Sequence, residues 1–140
     1  MPTVETKIWL ALRDRIESIP LPFAKAWPAE AFTPVYDDGK LLPYLRIGRV
    51  TVAPTPVFID TGKRHQRTGT LIVTLVHPIG QRVAVYDQYA GQIAAHFSEG
   101  ASMYYNGVCV KVTAQPHVQP GYEDNGYWTV PVSIPWRTFA

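Results

Sequence analysis

Residues 69–80 read Gly-Thr-Leu-Ile-Val-Thr-Leu-Val-His-Pro-Ile-Gly, and residues 94–100 read Ala-Ala-His-Phe-Ser-Glu-Gly. The first stretch is rich in β-branched residues, which favour a strand, and it ends in a proline and a glycine, which favour a turn. The second stretch closes a segment of small residues that predicts a helix. A strand that turns directly into a helix indicates an α+β domain, but this unit contains no reactive group.

Two amphipathic helices are predicted, at residues 3–18 and 82–98. In the first, apolar residues recur every four positions, and the Pro-Leu-Pro run at 20–22 ends it. In the second, Gly91 lies in the interior, where glycine costs about 1 kcal/mol relative to alanine. We therefore expect a close packing partner at Gly91. The predicted core combines both helices with the strands: Ile8, Leu12, Ile16, Leu71, Val73, Ile93, Phe97, Val110, Val130 and Val132.

Apolar alternation predicts strands at residues 43–53, 68–76, 108–113 and 127–136, with a short extended piece at 23–28. The irregular segment 54–67 is expected to be a mobile extension. The last strand contains two prolines, Pro131 and Pro135, which remove donors from the same edge, so we expect it at the rim of its sheet.

The element order α-β-β-β-α-β-β predicts a single α+β domain over residues 1–140. We expect one mixed or antiparallel sheet that contains a long β-hairpin, with both helices packed on one face.

Composition and spacing argue against several classes of function. Only 17% of the residues are charged, and the formal net charge of +2 is too small to indicate a nucleic-acid-binding protein. Cys109 lies in an apolar run, as a small buried residue does. The four histidines lack the spacing of metal ligands: His65, His77, His96 and His117. We therefore expect no enzyme activity, no cofactor and no metal. No signal peptide or membrane span is predicted, so a cytoplasmic protein is expected.

Two groups of residues are candidates for contact with another molecule. Lys63, Arg64, His65 and Arg67 form a basic cluster before a strand. It fits a solvated loop, a contact with another protein subunit or, without interleaved aromatic residues, less readily a nucleic-acid contact. In that strand Ile72 and Val76 lie on the face opposite Leu71 and are also apolar. A strand that is apolar on both faces is covered on both sides or buried at an interface.

Nearly the whole chain resembles the tail terminator (tail completion) proteins of long-tailed bacteriophages and prophages. The resemblance is carried by the first helix and the Ala-Trp-Pro at 26–28, and by these further segments: 43–47, 67–73, 78–80, 93–97 and 128–136. It implies a structural virion protein that forms a homohexameric ring at the head-proximal end of the tail. Such a ring caps the tail tube, ends its polymerisation and forms the surface that joins the head.

The same resemblance implies the partners: other copies of the chain, the tail tube protein and the head-completion (neck) proteins. It implies no membrane partner and no specific nucleic acid, with assembly in the host cytoplasm. Two alternatives stay open. One is another small head–tail neck or head-closure protein of similar fold, and the other is a small nucleic-acid-binding α+β module, whose binding would be steeply salt-dependent.

Overall fold

The structure is a computed structural model and describes residues 3–33, 36–37, 39–56 and 65–140. Within these ranges the elements follow in this order: α1 (Val4–Glu17), β1 (Ala24–Ala26), β2 (Tyr36–Asp37), β3 (Lys40–Leu41), β4 (Tyr44–Thr51), β5 (Thr55–Pro56), β6 (His65–Pro78), α2 (Val83–His96), β7 (Ser102–Tyr105), β8 (Val108–Val112), β9 (His117–Val118), β10 (Tyr122–Asp124) and β11 (Tyr127–Phe139). Two helices and a mixed sheet confirm the predicted α+β class.

Side-chain hydrogen bonds fix the starts of both helices. The hydroxyl of Thr3 accepts a hydrogen bond from the Thr6 N–H and caps the start of α1. Before α2, the Tyr86 hydroxyl accepts from the Gln81 N–H and donates to the Pro78 carbonyl, which fixes the turn that enters the helix. The prediction of a close packing partner at Gly91 is wrong. Outside its own stretch of helix, no atom lies within 4 Å of the position that a Cβ would occupy.

The main sheet has the strand order β1-β4-β6-β11-β8-β7, with β5, β9 and β10 as short additional pairs. The long hairpin is formed by β4 and β6, which run antiparallel. The parallel pairing of β1 with β4 makes the sheet mixed. Strands β2 and β3 form a small separate hairpin.

Strand β11 lies in the middle of the sheet, so the prediction that it forms the rim is wrong. One of its edges pairs with β6 along the whole strand, and the other pairs in turn with β10, β9 and β8. Pro131 and Pro135 face this second edge, where their carbonyls accept from the N–H groups of Gln119 and Thr113. The prolines lack N–H donors but keep their carbonyls, so this edge is not left unpaired. It pairs with three short strands.

The two helices pack on the same face of the sheet, as predicted. Successive residues of a strand point to opposite faces, so Arg67, Leu71 and His77 share one face of β6. Arg67 contacts Glu5 of α1, and His77 packs against Tyr86 of α2. The helices thus cover opposite ends of one face, which we call the inner face. Every residue of the predicted core is buried.

The segment predicted to be irregular, residues 54–67, is partly regular. Strand β5 pairs with the first residues of β6, so the hairpin continues beyond β4, and Arg67 belongs to a strand. Residues 57–64 lie outside the described residues. Strands β7, β9 and β10 were not predicted, because they are short and lack a clear apolar alternation.

Candidate assembly surfaces

The face of the sheet opposite the helices, which we call the outer face, changes character along β6. At one end Val76 lies between Tyr44 and Thr129 of the neighbouring strands and is only 3% exposed. The rings of Phe32 and Tyr127 contact Tyr44 there, with centroids 4.7 and 6.2 Å away. Val76 is therefore covered within the subunit.

Towards the hairpin end the outer face is open. Ile72 lies between Gly48 and Ser133 and is partly exposed. Beyond it, three large apolar side chains of this face are exposed to water by about half or more: Val50, Tyr104 and Phe139. Among the described residues no helix packs over this region. Arg137 lies on the same face, with its guanidinium 5.2 Å from the Phe139 ring. Exposed large apolar side chains on a face that no helix covers are typical of an interaction site.

The residues of the predicted basic cluster have different surroundings. Arg67 points to the inner face, where its guanidinium is 2.7 Å from the Glu5 carboxylate and bonds the Ala140 carbonyl. His65 continues the sheet through two backbone hydrogen bonds with Ala140. Lys63 and Arg64 lie outside the described residues. Arg67 thus connects α1 to strand β6 of the hairpin.

The electrostatics of that contact favour a charged Glu5. A hydrogen bond from its own backbone N–H is the main cause that lowers the pKa of Glu5. Desolvation opposes it, and the nearby Arg67 guanidinium lowers the pKa further. Next to this pair lies a groove of about 320 Å³ between α1 and the hairpin, bounded by Arg49 and Trp136. The Trp136 ring packs directly on Gly69, where a Cβ would be 2.5 Å from a ring carbon.

Two adjacent indoles flanked by two guanidinium groups, an arrangement not predicted from the sequence, link α1 to the sheet. The Arg49 guanidinium lies 4.9 Å from the Trp9 ring, Trp9 meets Trp27 edge-on at 6.0 Å, and Arg13 lies 4.4 Å from Trp27. Arg13 also pairs with Glu30 at 3.1 Å. The spacing of Trp9 and Arg13, four residues apart on a helix, was the available signal.

The C-terminal ends of the two helices are joined by reciprocal hydrogen bonds. The Arg15 guanidinium donates to the His96 carbonyl at 2.7 and 3.0 Å, and the His96 ring Nε2 lies 3.0 Å from the Arg15 carbonyl and 2.8 Å from the Ser18 hydroxyl. Burial lowers the pKa of His96, the Arg15 charge lowers it further, and the bond to the Arg15 carbonyl opposes both.

Among the described residues, no three His, Cys, Asp or Glu side chains come together as metal ligands would. The helices of the described chain are too short or too polar to cross a membrane.

The chain is similar in sequence to a known protein family. The family model described as phage tail terminator protein matches residues 7–136. This chain belongs to the phage tail terminator family. It is therefore a structural protein of the phage tail, as the sequence resemblance implied.

A solved structure shares the fold of this terminator, with a TM-score of 0.70 and 22% sequence identity. The match covers 93% of this chain and 94% of that chain. At this identity the likeness shows the fold alone. No curated protein matches the sequence.

Proposed function

We propose that this terminator assembles as a homohexameric ring that caps the phage tail tube at its head-proximal end. The ring stops tube polymerisation and presents the surface to which head-completion (neck) proteins join, after assembly in the host cytoplasm. The observation that carries the proposal is the family match over residues 7–136. The open part of the outer face supports it, because a ring subunit needs contact surfaces that its own helices leave uncovered.

The division between the two faces of the sheet supports an assembly role. On the inner face, Leu71 and Val73 are fully buried by the subunit's own packing. On the outer face, Val50 is 55% and Tyr104 71% exposed, although both are large apolar residues. Exposing them costs solvation free energy in the free subunit, at roughly 25 cal/mol per Å² of apolar surface. Contact with a neighbouring subunit or with the tube recovers that free energy.

The proposal is tested by adding the purified protein to polymerising tail tube protein and measuring tube lengths by electron microscopy. We expect substoichiometric amounts to stop elongation and to leave a ring at one tube end. Light scattering of the terminator alone measures whether the ring also forms in solution. Tubes that elongate unchanged and carry no terminal density at saturating protein contradict the proposal.

A pair of matched variants locates the surface. Ile72→Arg places a charge on the open outer face, and Ile79→Arg places the same charge on an exposed residue in the turn after β6. We expect Ile72→Arg to lose tube capping and Ile79→Arg to retain it, with both proteins folded by circular dichroism. If the wild-type protein binds isolated heads but not tubes, the head-closure alternative is correct instead.

A further inference from the structure

We propose that neighbouring subunits of the ring are joined by their sheet edges: the free edge of β7 in one subunit pairs with the free edge of β4 in the next. The inference rests on the proposed ring and specifies its subunit contact. It makes the sheets of all subunits one continuous circular sheet, with the outer faces aligned.

The first free edge belongs to β4. Strand β1 pairs only with Tyr44, Leu45 and Arg46, so the rest of β4 has no neighbour on that side among the described residues. The Val52 N–H bonds the Thr68 carbonyl of β6, and lateral direction alternates along a strand. Beyond the pairing with β1, the N–H and C=O groups of two residues therefore point outward from this edge: Arg49 and Thr51.

The second free edge belongs to β7, which ends the strand order on the other side of the sheet. The Val112 N–H of β8 bonds the Ala101 carbonyl, so Met103 also faces β8. By the same alternation, the backbone groups of Ser102 and Tyr104 point away from the sheet. This four-residue strand has neither a charged residue nor a proline, two of the devices that keep an edge from pairing with another chain.

Side chains at the two edges supply matching apolar surface on the outer face. Met103 is buried on the inner face, so Tyr104 lies on the outer face, where it is 71% exposed. Val50 lies on the same face beside the β4 edge. When the edges pair with the outer faces aligned, Tyr104 of one subunit covers Val50 of the next.

The occupant of each edge is therefore a second copy of this chain. A closed cyclic ring requires heterologous contacts, in which one patch meets a different patch on the neighbour. Strands β4, β11 and β7 run in one direction, because each neighbouring pair from β4 to β7 is antiparallel. A rotation about an axis along the strands preserves that direction, so β7 meets the next β4 as a parallel pair.

Disulfide trapping tests the contact in the intact protein. In a Cys109→Ser background, Tyr104→Cys is combined in turn with Gly48→Cys, Val50→Cys or Val52→Cys, because the stagger between subunits decides which pair meets. The control pair combines Tyr104→Cys with Ile79→Cys, which places the second thiol in the exposed turn after β6. Mild oxidation is followed on non-reducing gels, with and without tail tubes.

We expect at least one edge pair to yield a ladder of linked subunits up to the full ring, at least tenfold faster than the control pair. Rings that are visible by electron microscopy but link no faster than the control would overturn the edge contact and leave the proposed function intact. If no ring forms, alone or on tubes, the proposed function fails and the edge contact fails with it.

A proline variant provides an independent test that does not depend on stagger. Tyr104→Pro removes an N–H that points outward, so the bonds between β7 and β8 remain. Tyr104→Ala removes the same ring contacts but keeps the N–H. We expect both variants to fold like the wild type and Tyr104→Pro to weaken ring assembly at least tenfold more than Tyr104→Ala. Equal assembly of the two variants would show that β7 does not pair through its backbone.

Discussion

Strand β6 places the same kinds of residue in two different environments. On its inner face, Leu71, Val73 and Leu75 are fully buried beneath the two helices. On its outer face, one residue along, Ile72 is partly exposed and no described helix covers it. The backbone, the neighbouring strands and the apolar character are shared, so the difference comes from what is packed above each face. The inner face stabilises the subunit, and the outer face has apolar surface available for another molecule.

The largest expected effect concerns the inner face. Phe97, at the end of α2, is fully buried in the core. Phe97→Ala removes its contacts and leaves a cavity, which should lower the free energy of unfolding by roughly 3–5 kcal/mol. Denaturant unfolding measures the loss. A change below about 1 kcal/mol would mean that the inner face does not hold the subunit together.

Two adjacent substitutions compare the faces directly. Leu71→Ala should cost roughly 2–5 kcal/mol, as buried leucines do. Ile72→Ala removes a side chain that is already partly hydrated, so we expect less than about half that cost in the isolated subunit. Urea unfolding below the assembly concentration measures both values. Equal losses would show that the outer face is as well packed as the inner one, and the comparison would then fail.

Substitutions at two glycines, one tightly packed and one open, extend the comparison to the backbone. Gly69 lies under the Trp136 ring, and a Cβ there would be 2.5 Å from a ring carbon and 2.6 Å from the Val50 carbonyl. Gly69→Ala should therefore destabilise the protein by roughly 1–3 kcal/mol through overpacking. Gly91→Ala is the matched control, because its site is open and helical, and it should stabilise by about 1 kcal/mol. Thermal unfolding of both variants should show shifts of opposite sign.

The inner face was predictable because its apolar residues keep regular periods of two in strands and about four in α1. The rim position of β11 was predicted wrongly. Pro131 and Pro135 do share one edge of the strand, but that edge is paired. Pro131 and Pro135 lack donors but keep carbonyls, and short strands with no sequence pattern of their own bond to those carbonyls. A rule about missing donors cannot show which short segments will supply N–H groups.

The candidate surface was only partly predictable. Arg67 was predicted to lie in the irregular segment, whereas it belongs to β6 and has the parity of Leu71, which places it on the inner face beside Glu5. Ile72 was identified correctly as a residue of the opposite face. Burial of Val76 depends on Phe32 and Tyr44, which lie far from it in sequence. The edges of β4 and β7 became visible only with the strand order.

A smaller effect is expected from pH at the joint between the helices. Burial lowers the pKa of His96 below its ordinary value of 6.5, so the unfolded chain binds the proton more readily than the folded one. The contribution to stability is complete above pH 6.5 and is lost as the pH falls towards the lower folded value. His96→Gln should flatten this part of the stability profile, and His117→Gln, on exposed β9, should not. Parallel profiles for the wild type and His96→Gln would contradict the assignment.

The smallest expected effects on stability come from the basic cluster, and they separate a fold contact from an assembly contact. Arg67→Gln removes the pair with Glu5, whose carboxylate side chain is 69% exposed, so we expect only a small loss of stability because water screens the pair. Neutralising Lys63 and Arg64 together should change the free energy of unfolding by less than about 0.5 kcal/mol.

If these two charges contact the neighbouring subunit or the tube, the double variant should cap tubes less well than the wild type. The deficit should shrink between low salt and 0.15 M, where the Debye length falls to about 8 Å. Equal capping at low salt would assign the cluster to the solvated surface and leave the outer face and the two sheet edges as the sites of contact.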